Sequence, residues 1–133
     1  MEEHKLLVAA LAKPGEDIVD SLTPDGAHLL HMAVGIAGES GELLDAIKKA
    51  VIYCKPIDVE NVVEELGDLE FYMEGLRDRL GITRQQTLQA NVAKLSKRYK
   101  AGSYSDKAAQ ERADKAPGAD RKFFGQVQEA NNG

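Results

Sequence analysis

The sequence predicts an all-α fold of four main helices followed by a polar C-terminal arm. Apolar residues recur every three or four positions through most of residues 1–102, which is the period of a helix. Cap and breaker residues separate these periodic segments, and no segment shows the alternation expected of a β-strand. With 133 residues in total, we expect one helical domain at 1–102 and an arm at 103–133.

The first two predicted helices are bounded by local signals. A short amphipathic helix is expected over about residues 2–12, and a Lys-Pro-Gly breaker at residues 13–15 ends it. The second helix begins at Thr23, whose side chain can cap it, and Pro24 suits its first position. The apolar period predicts that it extends to about Tyr53.

The second predicted helix carries one apolar stripe and a cluster of glycines. Gly35, Gly38 and Gly41 are poor helix formers, so their cluster predicts either a tight helix crossing or a local bend. We expect the apolar stripe to pack inward, and its members are Leu29, Met32, Ala33, Ile36, Leu43, Ile47 and Ala50.

Cap signals also delimit two further helices. Asp58 is the expected cap of the third helix, which should stop at Gly81. Thr83 and Gln86 form a capping-box pattern that opens a fourth helix, and Gly102 should close it. In the arm, short helices are expected over about residues 105–115 and 123–129. The inward stripe of the fourth helix is expected to contain Leu88, Val92, Leu95 and Tyr99.

Composition and charge exclude several classes of function. A formal charge of −5 argues against the broad basic surface that nucleic-acid binding requires. Cys54 is the single cysteine, so neither an intrachain disulfide nor a cysteine zinc cluster can form, and a reducing cytoplasm fits best. No run approaches the ~20 apolar residues of a membrane span. We therefore expect a cytoplasmic protein that binds neither nucleic acid nor membrane.

Two pairs of carboxylates indicate the chemistry. Glu39 and Glu42 lie three residues apart on the second predicted helix, and Glu65 and Asp68 on the third, so each pair occupies nearly one helix face. One such pair is usually a solvated surface; two pairs on successive helices weaken that interpretation, but spacing alone leaves a shared site and a solvated surface both open. Glu64 lies farther from the apolar side than Glu65 and is not an expected ligand. Converging carboxylates require a cation, and oxygen ligands select Mg²⁺ or Mn²⁺.

The fourth predicted helix carries a polar stripe that complements these acids. Asn91, Lys94 and Arg98 stand at i, i+3 and i+7 and therefore share one face. Cations on that face could contact the phosphate oxygens of an anionic substrate, so the three are candidate substrate-binding residues. Solubilising charge near a helix C-terminus is the alternative interpretation.

Other catalytic patterns do not occur in the sequence. No GxxxxGK[ST] or GxGxxG loop is present, which argues against a P-loop or Rossmann enzyme. A carboxylate-bridged di-iron bundle calls for Glu-x-x-His pairs, and the sequence contains none. His28 and His31 lie two to three turns from Glu39 on the same predicted helix, too far to share its metal.

At these residues the sequence resembles the MazG-like family of all-α nucleoside triphosphate pyrophosphatases, which is itself similar to the dimeric dUTPases. The match consists of the strings GESGELLDAIKK, EELGDLEFY and NVAKLSKRY, in the order and spacing of the family's ExxE, ExxD and Asn-x-x-Lys-x-x-x-Arg pattern. It spans about residues 25–100. Many members carry a glutamate directly before the first ligand, where this chain has Gly38, so the number of metal ions stays open.

The resemblance implies a magnesium-dependent enzyme, assembled as a homodimer or homotetramer, that converts an NTP or dNTP to the monophosphate and pyrophosphate. No protein nucleophile is required, and Glu39 and Glu42 are the candidate catalytic bases. The competing hypothesis is a non-catalytic regulator or adaptor that keeps the fold. The implied site residues are the metal ligands Glu39, Glu42, Glu65 and Asp68 and the phosphate contacts Lys94 and Arg98.

Overall fold

The computed structural model describes residues 1–115, which form helices and contain no strand. The α-helices are α1 (Glu2–Leu11), α2 (Gly15–Ser21), α3 (Pro24–Val51), α4 (Val59–Leu80), α5 (Arg84–Arg98) and α6 (Asp106–Glu111), and a 3₁₀ helix follows at Ala113–Lys115. The all-α prediction is confirmed, although α2 was not predicted. The expected helix over 123–129 lies outside the described residues. Within the described part of the chain, no helix is long and apolar enough to cross a membrane.

The chain divides into two compact units. The first comprises Met1–Arg79 and contains α1, α2, α3 and nearly all of α4. The second begins at Leu80 and contains α5, α6 and the 3₁₀ helix.

The predicted helix starts are confirmed by the hydrogen bonds that cap them. The Thr23 hydroxyl accepts a bond from the backbone of the first turn of α3. At the start of α4, the Asn61 backbone N–H donates to Asp58 Oδ1 at 3.1 Å. Thr83 and Gln86 form a complete capping box, in which each side chain accepts a bond from the other residue's backbone N–H. These bonds satisfy N–H groups that a helix N-terminus otherwise leaves without partners.

Helices α3 and α4 form an antiparallel pair in the first unit. Near the start of α3, Asp25 pairs with Arg79 at the end of α4. Further along α3, Gly35 lies directly against the ring of Tyr72, and a Cβ at Gly35 would overlap that ring. The glycine therefore allows the close approach, as the tight-crossing interpretation predicted, and α3 continues through it as one helix. Successive contacts lie closer to the C-terminus of α3 and closer to the N-terminus of α4, so the two helices are antiparallel.

The remaining glycines of the α3 cluster have no comparable neighbour. A Cβ at Gly38 or Gly41 would meet no atom within 4 Å among the described residues. Of Gly35, Gly38 and Gly41, only Gly35 lies at the predicted tight crossing among the described residues. Among residues 1–115, the space beside Gly38 and Gly41 is open.

The apolar core of the first unit is small. Met32 and Ala46 are the buried apolar residues of α3, each about 6% exposed. The predicted inward stripe of α3 is correct in part, because Leu29, Ile36 and Leu43 are half-buried, whereas Ala33 and Ile47 are exposed. The helix thus buries only a narrow strip of its apolar surface.

In the second unit, α6 and the 3₁₀ helix pack against α5. This part of the arm matches the short helix expected over 105–115, and Ser105 caps α6 by accepting a bond from Ala108 N–H. Helix α5 ends at Arg98, earlier than the predicted stop at Gly102. The predicted inward packing of Leu88 and Val92 is wrong for the single chain, because their exposures are 51% and 63%.

Candidate functional site

The α3 and α4 pair brings three predicted carboxylates together. One carboxylate oxygen from each of Glu39, Glu65 and Asp68 lies within 4.8 Å of the other two. Glu39 stands one turn beyond Gly35 on the side of α3 that faces α4, and Glu65 and Asp68 stand one turn apart on α4. Glu39 and Glu65 are half-buried, whereas Asp68 is exposed. The geometry that could hold a cation therefore comes from the close helix crossing.

The electrostatics of this cluster are unfavourable without a cation. The pKa of Glu39 is raised above its ordinary value, first because its carboxyl group loses solvent. The charge of Asp68, the hydrogen bond with Glu65 and the charges of Glu65 and Glu42 raise it further, in that order. Desolvation and like charges both disfavour the ionised carboxylate. A divalent cation would oppose both effects.

The fourth predicted ligand, Glu42, flanks this cluster. It lies one turn beyond Glu39 on α3 and is exposed, and it is not among the three carboxylates that converge. Its charge nevertheless reaches Glu39, since it contributes to the raised pKa of that residue. On α4, Glu65 and not the exposed Glu64 joins the cluster.

One residue beside the cluster was missed in the sequence analysis. Asn61 Nδ2 donates a hydrogen bond to Glu65 Oε1 at 2.8 Å, and both residues are half-buried. The signal that could have found it is its spacing, because Asn61 precedes Glu65 by four residues and so lies on the same face of α4.

The three candidate substrate-binding residues all lie on α5, in the second unit. Asn91 and Lys94 are exposed, whereas Arg98 is half-buried. Arg98 donates from Nε to Asp114 Oδ1 at 2.7 Å and from Nη2 to Asp114 Oδ2 at 2.9 Å. This pairing holds the pKa of Asp114 down to about 2 and raises that of Arg98. Spacing on α5 predicted the stripe but not the acidic partner.

Comparison with known proteins identifies the family of the chain. No curated protein and no solved structure matched it. A family model described as the MazG nucleotide pyrophosphohydrolase domain matches residues 28–103, which is more than half of the 133-residue chain. The matched range contains the three clustered carboxylates together with Glu42 and the polar stripe of α5. The chain therefore belongs to the MazG nucleotide pyrophosphohydrolase domain family.

Proposed function

We propose that this protein is a metal-dependent nucleoside triphosphate pyrophosphohydrolase, which hydrolyses an NTP or dNTP to the monophosphate and pyrophosphate. The observation that carries the proposal is the convergence of Glu39, Glu65 and Asp68 inside the residues that match the family. Acidic side chains alone are common on helices, but here they meet where two helices cross closely.

The donor set fits Mg²⁺, with Mn²⁺ as a substitute. All the proposed ligand atoms are carboxylate oxygens, which hard divalent cations prefer. A bound cation would also offset the desolvation and the like charges that raise the pKa of Glu39. We keep Glu42 as the fourth ligand, because it lies one turn from Glu39 and its exposed side chain can change rotamer.

The proposed roles of the residues follow from their charges. Glu39, Glu42, Glu65 and Asp68 hold the cation, and Glu39 or Glu42 accepts a proton from the attacking water. When bound, Mg²⁺ would supply Lewis-acid chemistry by offsetting the charge of the triphosphate and by acidifying that water. No side chain needs to act as a nucleophile.

The proposed substrate contacts come from α5. Lys94 is exposed and offers a mobile ammonium group to phosphate oxygens, with Asn91 one turn before it. Arg98 donates one N–H each from Nε and Nη2 to Asp114 in the structure. Its proposed phosphate contact therefore uses Nη1 or the second N–H of Nη2, unless Asp114 moves away.

We also propose that the chain assembles as a homodimer or homotetramer. Large apolar side chains are exposed on several helices, including Leu30 (53%) and Val34 (61%) on the side of α3 away from α4. Contiguous exposed apolar surface marks protein contacts. Light scattering after size-exclusion chromatography should give two or four times the 14.5 kDa chain mass. A monomer at micromolar concentration would contradict this proposal.

Two further expectations stay predictions. We still propose a helical domain at 1–102 and a C-terminal arm at 103–133. The first part of that arm, α6 and the 3₁₀ helix, packs against α5 of the domain. A cytoplasmic location is still expected from the single cysteine, Cys54.

The proposed function is tested by incubating the purified chain with each NTP and dNTP in the presence of Mg²⁺ or Mn²⁺. Phosphate is measured with and without added inorganic pyrophosphatase, so that pyrophosphate and orthophosphate are distinguished. We expect signal from at least one nucleotide only with the added enzyme, and none after EDTA treatment. No product from the whole panel would favour the non-catalytic regulator or adaptor.

A further inference from the structure

The side chain of Asn61 joins the carboxylate cluster to the first turn of α4. Its Nδ2 donates to Glu65 Oε1 at 2.8 Å, in the half-buried strip that faces α3. Glu65 in turn lies beside Glu39 and Asp68, with one carboxylate oxygen of each within 4.8 Å of the other two. The Glu65 carboxylate of the cluster is therefore hydrogen-bonded by the neutral amide of Asn61.

The backbone of Asn61 is held independently of its side chain. Its N–H donates to Asp58 Oδ1 at 3.1 Å and so forms part of the α4 cap. A substitution at position 61 removes the amide but keeps this cap, because every residue except proline has a backbone N–H. The contribution of the side chain can therefore be tested without removing the start of the helix.

The hydrogen bond constrains a flexible ligand. A glutamate side chain has three rotatable bonds, and an unrestrained Glu65 would sample several rotamers, many of which point away from Glu39 and Asp68. The bond from Asn61 occupies Oε1 and leaves the carboxylate oriented before any cation binds. Residues that orient metal ligands in this way typically change metal affinity by about 10–100-fold when they are replaced.

We infer that Asn61 is a positioning residue of the proposed metal centre, which orients Glu65 toward Glu39 and Asp68 through its amide. The inference rests on the proposed function for the identity of the bound group. It adds a residue that contacts neither the cation nor the nucleotide and that acts through Glu65.

The test is direct Mn²⁺ binding to the full chain, measured as the loss of the free Mn²⁺ paramagnetic resonance signal without nucleotide. Asn61→Leu, which keeps the branching and the number of side-chain heavy atoms but cannot donate, should raise the Mn²⁺ dissociation constant by about 10–100-fold. Asn61→Gln, which keeps an amide, should recover most of the affinity. Gln89→Leu on α5, an equivalent amide loss elsewhere, should bind as the wild type does.

Helicity and apo melting temperature are recorded for every variant, and Asn61→Ala serves as a second substitution if the leucine perturbs folding. The rate of pyrophosphate release by Asn61→Leu should recover at high Mn²⁺ concentration, because the proposed carboxylate ligands are still present. Wild-type Mn²⁺ affinity in both Asn61→Leu and Asn61→Ala would overturn the inference and leave the metal centre intact. Absence of Mn²⁺ binding to the wild type would overturn the metal centre and the inference together.

Discussion

Arg98 and Asp114 form an enclosed ion pair in the second unit, with side-chain exposures of 17% and 4%. The carboxylate uses both oxygens and the guanidinium uses two nitrogens, which is the planar geometry that arginine favours. This pair ties the 3₁₀ helix to the last residue of α5, so part of the predicted arm is attached to the helix that carries the proposed phosphate contacts.

We predict that Asp114→Asn lowers the melting temperature of the protein. The substitution removes the negative charge that pairs with the half-buried guanidinium of Arg98. In addition, the single oxygen of the new amide replaces only one of the two carboxylate oxygens that accept bonds from Arg98. Glu111→Gln is the matched control, because that carboxylate is 60% exposed and lies 3.8 Å from Lys107. Thermal unfolding followed by circular dichroism should show a clear loss for Asp114→Asn and little change for the control. Equal melting temperatures for the two variants would contradict a stabilising role for the pair.

The same pair predicts a pH dependence of stability. The pKa of Asp114 is about 2 in the folded chain, below its ordinary value of 3.8, so its contribution is fully present above about pH 5 and is lost progressively as the pH falls through 2. The difference in melting temperature between wild type and Asp114→Asn should therefore be constant above about pH 5 and shrink below it. Asp45, held at a pKa of about 2 by Lys48 and Lys49, remains in both proteins and cancels from this difference. A difference that grows on acidification would show that the sign is wrong.

We predict that Lys94→Ala raises KM for the nucleotide and reduces kcat/KM by about tenfold to a hundredfold. A charge-assisted hydrogen bond to phosphate is worth about 1.5–3 kcal/mol, and about 1.4 kcal/mol corresponds to a factor of ten. Lys97→Ala is the comparison, since Lys97 is also exposed and stands one turn from Lys94 but lies about 120° from Asn91 and about 100° from Arg98 around α5, beyond the edge of the stripe. If both variants lose activity equally, general positive potential and not the stripe assists binding, and added salt should reproduce the loss.

We predict that Glu39→Gln, Glu65→Gln and Asp68→Asn each abolish pyrophosphate release without lowering the apo melting temperature. Each change removes a proposed ligand but also reduces the number of like charges; desolvation and these charges together raise the pKa of Glu39. Glu64→Gln is the control next to Glu65 and should retain activity. A sharp fall of the apo melting temperature in all three site variants would indicate that the cluster has a structural role.

We predict that Gly35→Ala destabilises the protein, whereas Gly41→Ala does not. The added methyl group at position 35 would overlap the rigid ring of Tyr72, and overpacking of this kind costs about 1–3 kcal/mol. At position 41 a Cβ meets nothing within 4 Å, and the better helix propensity of alanine is worth up to about 1 kcal/mol. Chemical denaturation of both variants measures the two effects. If Gly41→Ala destabilised the chain, a second subunit packed against that face would explain it.

The sequence alone determined the features that depend on short-range interactions. The caps at Thr23, Asp58 and Thr83 were predicted correctly because each bond joins residues only three apart in the chain. The pairing of carboxylates on each helix was equally local, since helical spacing decides which side chains share a face. The short helix α2 was missed because it is only seven residues long and has no side-chain cap bond.

The tertiary structure alone decided which of these local features meet. The α3 and α4 register places Glu39 with Glu65 and Asp68 and leaves Glu42 at the flank, and that register depends on how Gly35 and Tyr72 pack. The exposure of Leu88 could not be read from periodicity, because an apolar stripe does not say whether its own chain or another subunit covers it. The partner of Arg98 lies sixteen residues away beyond a loop, so only folding could select Asp114.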